Sequence, residues 1–305
     1  MTTDEPADAT PAFPSDGVPT AHGGDGQRAQ RRDGQRAHGR AGRDLRAATA
    51  VGIGLAIVVL STLFLFKPAF AGLVVVVMVV AVWELASALS VRAVVVPVVP
   101  VIIGTVLMLV GAYLGGGTPL MVALGLTVAA VAVWRLGDST PGYLRDTTAG
   151  VFTSIYIPFL AGFAILMVRP DDGPWRVFAL LAVVVASDTG GYVAGVLFGR
   201  HPMAPRVSPK KSWEGLGGSV TLGIAAGVAV AVFAYDAPWW TGMVLGLVGV
   251  VDATFGDLGE SMIKRDLGIK DMSQIVPGHG GLMDRLDSLL ATAAPAYLLL
   301  HWLVL

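Results

Sequence analysis

The sequence predicts an all-α, polytopic integral membrane protein with about nine transmembrane helices behind a disordered N-terminal tail. Three observations carry this reading. The mean hydropathy over 305 residues is +0.69. Hydrophobic residues make up 54% of the chain and charged residues only 14%, whereas a soluble domain carries about a quarter charged residues. The apolar residues also fall into runs of roughly 17–25, the length that spans a hydrocarbon core as a helix.

Residues 1–46 are rich in Gly, Pro, Ala, Asp and Arg and nearly free of large apolar side chains. Such a segment cannot bury enough surface to offset the entropy of ordering it, so disorder is expected. No apolar h-region lies within it, which excludes a signal peptide. Its seven Arg, from Arg28 to Arg46, immediately precede the first apolar run and place the N-terminus in the cytoplasm by the positive-inside rule. Seven acidic residues in the same tail weaken any attraction to anionic lipid.

The apolar runs are roughly 47–66, 69–89, 93–114, 118–136, 148–168, 175–198, 216–235, 238–254 and 288–305. If the chain starts inside, the even-numbered runs return to the cytoplasm. Those returns carry Arg92, then Arg135 and Arg145, then Arg200, Arg206, Lys210 and Lys211, then Lys264, Arg265, Lys270 and Arg285. The opposite loops are short and hold only Lys67 and Arg169 as cations. This asymmetry fits nine spans with the C-terminus outside. Three regions follow: a cytoplasmic tail (1–46), N-terminal transmembrane helices (47–168), and a C-terminal transmembrane region (169–305) with long cytoplasmic loops near 199–215 and 255–287, the candidate working parts. The chain has no Cys, which excludes disulfides, thiolate nucleophiles and Cys-ligated metals. A net charge of −1 gives no general attraction to nucleic acid.

Three polar stretches interrupt the apolar background. In "SDTGGYVAGVLFGR" (187–200), Asp188 lies inside the sixth run. An ionised Asp there costs about 2.5–3.5 kcal/mol or more, so it must face a cavity, a cation or a partner. Gly190, Gly191, Gly195 and Gly199 form a small-residue face suited to close approach. A structural pairing of Asp188 with a buried Lys or Arg is the competing account. In "SPKKSWEG" (208–215), Lys210 and Lys211 with Ser208 and Ser212 offer an anion site; two cytoplasmic Lys are as readily explained by topology.

The third stretch, residues 255–288, is the densest. If 257–265 is helical, Asp257, Ser261 and Lys264 share one face. Asp284 and Asp287, three apart, share another, with Arg285 beside them. Paired carboxylates in oxygen-rich surroundings suit Mg²⁺, which bridges a few carboxylates and substrate phosphates. Asp257 and Asp284 are the first candidates, followed by Asp188 and Asp287. Lys264, Arg265, Lys270 and Arg285 suit a polyphosphate. Gly278, Gly280 and Gly281 permit close backbone approach to a ligand. His279 suits donation to phosphate, proton transfer or a structural hydrogen bond equally. A solvated, salt-bridged loop explains the charges but not the Gly–His–Gly–Gly run. Glu84, alone in the second run, reads as either structurally paired or cavity-lining and is left outside the catalytic set.

"SMIKRDLGIKDMSQIVPGHGGLMDRLDS" (261–288) resembles the signature of the phosphatidate cytidylyltransferase (CDP-diacylglycerol synthase) family. It matches at Ser261, Lys264, Arg265, Lys270, Asp271, Pro277 through Gly281, Asp284, Arg285 and Asp287, and departs conservatively at Val276. The two other stretches are also similar to family segments, in the same order. Strong resemblance covers the C-terminal 120 residues or so; the first half is similar mainly in membrane character.

The resemblance implies transfer of CMP from CTP to phosphatidic acid, giving CDP-diacylglycerol and pyrophosphate for phospholipid biosynthesis. It implies catalytic roles for Asp188, Lys264, Arg265, Asp271, His279 and Arg285. Substrate binding is implied for Ser208, Lys210, Lys211, Ser261, Lys270, Gly280 and Gly281, and Mg²⁺ binding for Asp257, Asp284 and Asp287. A second cation, K⁺, a homodimer, and a place in the inner (plasma) membrane with a cytoplasmic active site are implied too. Two other readings stay open. A related CTP-dependent membrane enzyme, a polyprenol-type kinase or a cytidylyltransferase for another lipid phosphate, differs in its product. A transporter using Asp188 and Glu84 as coupling acids would concentrate polar residues near mid-membrane, whereas most of these lie in the expected cytoplasmic loops.

Overall fold

The computed structural model describes residues 52–137, 141–273 and 281–304, the side chains of 303 and 304 excepted. The expected disordered tail, His279 and Gly280 lie outside those residues. Among the described residues the chain is mostly helical. Helix α1 (Gly52–Leu65) is followed by α2 (Lys67–Ser90), α3 (Val98–Gly115), α4 (Gly117–Leu136), α5 (Tyr143–Ser154) and α6 (Leu160–Val168). Next come α7 (Gly173–Phe198), the strands β1 (Pro202–Ala204) and β2 (Ser208–Ser212), α8 (Trp213–Tyr235), α9 (Trp239–Leu267) and α10 (Asp287–Leu299).

Among the described residues seven segments are long and apolar enough to cross a membrane: α2, α3, α4, the continuous α5–α6 pair, α7, α8 and α9. A π-helical turn at Ile155–Phe159 joins α5 to α6 and absorbs Pro158, whose missing N–H breaks the regular ladder. The first and last apolar runs form shorter helices, α1 and α10, the latter continuing as a π-turn through Leu300–Val304.

Two expectations about the long loops are corrected. Residues 255–267 are not loop: α9 runs 29 residues, well past 254. It ends where Gly268 takes φ +73°, a left-handed turn that costs glycine little. Lys264 and Arg265 lie in its last turn, where cations complement the helix dipole. Residues 202–212 form an antiparallel hairpin, so the fold is not strictly all-α. Pro202, Pro205 and Pro209 disfavour helix there. Glu214, in the first turn of α8, accepts the Arg200 and His201 N–H groups at 3.2 Å each and fixes the hairpin base.

Two features position the site. Helices α7 and α8 touch through glycine: a Cβ on Gly190 would stand 2.3 Å from the Gly218 carbonyl oxygen. In addition, Leu267, Met272, Met283 and Leu290 are buried in one core with residues of α2 and α3. The C-terminal segments are thus packed onto the N-terminal helices.

Candidate active site

Beneath the hairpin lies a cavity of about 430 Å³. It brings together nine of the residues to which the sequence gives catalytic, substrate-binding or metal roles. Asp188 comes from α7; Ser208, Lys210 and Lys211 from β2; Asp257 and Lys264 from α9; Asp284, Arg285 and Asp287 from the turn into α10. The helical spacing expected for Asp257 and Lys264 holds, because α9 remains regular through both.

The charged groups interlock. Lys211 Nζ lies 2.5 Å from Asp257 Oδ2, joining hairpin to helix. Ser261 Oγ donates to Asp257 Oδ1 at 3.3 Å. Lys264 Nζ donates to Asp284 Oδ1 at 2.6 Å and lies 3.5 Å from Glu260 Oε1. Asp284 Oδ2 also accepts the N–H groups of Met272 (3.1 Å) and Gly281 (2.8 Å). Burial raises the Asp284 carboxyl, but the Lys264 ammonium and the Gly281 N–H outweigh it and hold the group below its ordinary value. Asp287 is buried and accepts the Ser288 N–H at 2.6 Å. Asp188 opens onto the cavity, and among the described residues no hydrogen bond or ion pair meets its carboxylate.

Other expected residues stand apart. Ser261 supports Asp257 and does not line the cavity. Arg265 is exposed and donates to the Val207 carbonyl at 3.2 Å, bracing the hairpin. Lys270 and Asp271 are exposed and do not line the cavity. Gly281 is buried and enters through its N–H.

Two buried acids lie outside the expected site set: Glu84, which the sequence leaves either structurally paired or cavity-lining, is structurally paired, and Glu260 was not singled out. Glu84, on α2, accepts the Leu282 and Met283 N–H groups at 3.0 and 2.8 Å and the Ser273 hydroxyl. It therefore holds backbone and does not line the cavity. The expense of an acid within an apolar run was the available signal, but its partner lies far along the chain. Glu260 is fully buried on α9, with its Oε1 3.5 Å from Lys264 Nζ and Asp287 as its acidic neighbour. Its spacing four residues before Lys264 was the readable clue.

The donor set suits a hard cation: four carboxylates and several hydroxyls face the cavity, and among the described residues no thiol or imidazole does. Among the described residues no group of three His, Asp or Glu side chains stands close enough to hold a metal unaided. Mg²⁺ retains waters and draws ligands from substrate phosphates, so a site shared between protein and nucleotide fits this arrangement. The cations Lys210, Lys211, Lys264 and Arg285 line the same space, so anions and their counter-ion can meet there.

The sequence model of the cytidylyltransferase family matches residues 46–303. The chain is 40% identical to the phosphatidate cytidylyltransferase of Mycobacterium tuberculosis (strain ATCC 25618 / H37Rv) over 273 residues, 85% of this chain and 83% of that protein. It is 42% identical to the phosphatidate cytidylyltransferase of Mycobacterium leprae over 278 residues, 85% and 88% of the two chains. With the Haemophilus influenzae protein of the same name, identity is 38% over 162 residues, 50% of this chain and 56% of that protein.

Proposed function

The chain belongs to the cytidylyltransferase family, and on that premise we propose that it transfers CMP from CTP to phosphatidic acid, giving CDP-diacylglycerol and pyrophosphate. The observation that carries the proposal is the cavity itself, where Lys210, Lys211, Lys264 and Arg285 surround four carboxylates. Both substrates are anions. A phosphate oxygen of the lipid attacks the α-phosphorus of CTP, a new P–O bond forms, and the bond to the β-phosphate breaks as pyrophosphate leaves. The nucleophile is already ionised near neutral pH, so positioning and charge compensation matter more than a general base.

In this reading Asp257, Asp284 and Asp287, with Asp188, hold Mg²⁺ together with the nucleotide phosphates. Bound there, Mg²⁺ supplies neutralisation of the triphosphate and of the departing pyrophosphate. Lys264 and Arg285 face the triphosphate, while Ser208, Lys210 and Lys211 on the hairpin take the lipid headgroup. Lys264 also holds Asp284 in place. Arg265, through Val207, and Ser261, through Asp257, act as supports. The same all-oxygen set serves K⁺. Lys270, Asp271, His279 and Gly280 keep the roles that the family resemblance gives them.

The proposal includes nine spans, a cytoplasmic N-terminus and active site, the plasma membrane as location, and a homodimer. Support for the orientation is the excess of Arg and Lys at the returns that precede and follow the cavity residues. Support for the dimer is family resemblance alone.

The test is an assay of the purified protein with CTP, phosphatidic acid and Mg²⁺, following pyrophosphate and CDP-lipid together. Equal amounts of both products are expected. Lipid product with CDP in place of pyrophosphate would show γ-phosphoryl transfer instead, and absence of any CDP-lipid from folded protein would sink the reading.

A further inference from the structure

Glu84 lies on α2, remote in sequence from the cavity residues, yet its side chain is fully buried against the segment that carries three of them. A buried acid within an apolar helix is expensive unless donors meet it. Three do. Oε1 accepts the Leu282 N–H at 3.0 Å and the Ser273 hydroxyl; Oε2 accepts the Met283 N–H at 2.8 Å. Two successive backbone N–H groups held by the two oxygens of one carboxylate leave that peptide little freedom to rotate. The next residue is Asp284, followed by Arg285.

Asp284 repeats the device from the other side, accepting the N–H groups of Met272 and Gly281 on one oxygen. Met272–Ser273 and Gly281–Met283 are therefore tied together by two acids, one from α2 and one from the cavity. Met283 and Met272 are buried in the core shared with α2 and α3, so the tie is anchored in packed structure.

We infer that Glu84 is a positioning residue: it clamps Ser273, Leu282 and Met283, and so fixes where Asp284 and Arg285 present their charges to the cavity. Its carboxylate does not line that cavity and touches no reacting group. An inert structural acid would affect only folding, whereas a positioning acid affects turnover in protein that is folded. Misplacement of a charged group by about 1 Å costs on the order of a hundredfold in rate.

This inference rests on the proposed cytidylyl transfer for one readout and is independent of it for the other. Glu84→Gln and Ser273→Ala are compared with wild type for thermal unfolding, for kcat and KM with CTP and phosphatidic acid, and for backbone hydrogen exchange in peptides covering 281–290. Glu84→Gln keeps size but turns an amide N–H donor towards groups that themselves donate. The expected result is protein that still folds but unfolds a few degrees below wild type, exchange at 282–285 faster by about tenfold or more, and kcat per folded molecule lower by about tenfold or more with a smaller change in KM. Folded Glu84→Gln with wild-type exchange and kcat would overturn the inference, as would lost stability with unchanged turnover per folded molecule. If Glu84→Gln does not accumulate folded, Ser273→Ala decides: a kcat drop of about two- to fivefold with faster exchange supports the clamp, and no change in either overturns it. Should wild type make no CDP-lipid, the proposed reaction fails while exchange still tests the clamp.

Discussion

Lys211 Nζ and Asp257 Oδ2 meet at 2.5 Å, so the one hairpin among the described residues is tied directly to the longest helix at the cavity that both residues line. The pair places a cation and a carboxylate where a nucleotide and its counter-ion would compete for each. Lys211 is a quarter exposed and Asp257 somewhat more, so the contact adds little to stability. Lys211→Met should leave the unfolding temperature within a few degrees and lower kcat/KM for phosphatidic acid by about ten- to a hundredfold. Steady-state kinetics with each substrate varied in turn checks this. An effect confined to thermal stability would remove Lys211 from substrate binding.

Metal binding should depend on nucleotide. No three acidic or imidazole side chains among the described residues come close enough to cage an ion. The protein alone should therefore bind Mn²⁺, a spectroscopic substitute for Mg²⁺, weakly, and CTP should strengthen binding by about tenfold or more. Electron paramagnetic resonance titration of Mn²⁺ with and without CTP measures the difference. Equal affinity in both conditions would point to a protein-only site. Chelation with EDTA should abolish turnover, and added Mg²⁺ should restore it.

Asp284 serves structure as well as charge. Its two oxygens accept Lys264 Nζ and the N–H groups of Met272 and Gly281. Asp284→Asn should therefore lose activity by about a hundredfold or more and also destabilise the protein by about 1–3 kcal/mol, since the amide aims donors at donors. The folded carboxyl lies below its ordinary value of 3.8. A depressed carboxyl contributes stability that is present above the unfolded value and is lost as pH falls through the folded one. Unfolding temperatures taken from about pH 5 down to about pH 3 in EDTA should fall, and the fall should be shallower in Asp284→Asn. Parallel curves for the two proteins would exclude this contribution.

The helix contact at Gly190 is a packing prediction. A Cβ there would stand 2.3 Å from the Gly218 carbonyl oxygen, and backbone cannot yield as a side chain can. Gly190→Ala should force α7 and α8 apart and cost about 1–3 kcal/mol. Because Asp188 and Gly215 line the cavity from the same two helices, activity should fall with stability. Thermal unfolding beside kcat makes the comparison, and wild-type values for both would deny the close approach.

Much of this was legible in the sequence, for reasons that differ by element. The apolar runs are local, so most helices follow from length and hydropathy. Asp257, Ser261 and Lys264 are separated by helical spacing, so their shared neighbourhood could be anticipated even though the loop assignment around them was wrong. The α9 extension was hidden because its last turns are polar, and polarity resembles loop when no termination signal is weighed; Gly268 was that signal. The hairpin was hidden because its strands are short and rich in Pro. Glu84 could be flagged as costly, but no periodicity connects it to Leu282 and Met283. Its role depends on tertiary packing of α2 against the turn before α10.

Asp188 separates a site role from a structural one most cleanly. Among the described residues its carboxylate meets no hydrogen bond or ion pair, and it opens onto the cavity from α7. A structural ion pair in the apolar run would have shown a Lys or Arg partner; Lys211 instead pairs with Asp257. Lys211 and Arg285 act on this carboxylate only as nearby charges, so replacing a group that accepts no hydrogen bond among the described residues should not unsettle the fold and should be neutral or slightly stabilising. Asp188→Asn should therefore unfold at or slightly above the wild-type temperature, yet lose turnover by about a hundredfold or more if its charge is used with the cation and CTP. Thermal unfolding, kcat and CTP-dependent Mn²⁺ binding, measured on the same preparation, test both halves. Lost stability would reveal a structural partner for Asp188, and retained turnover would remove it from the reaction.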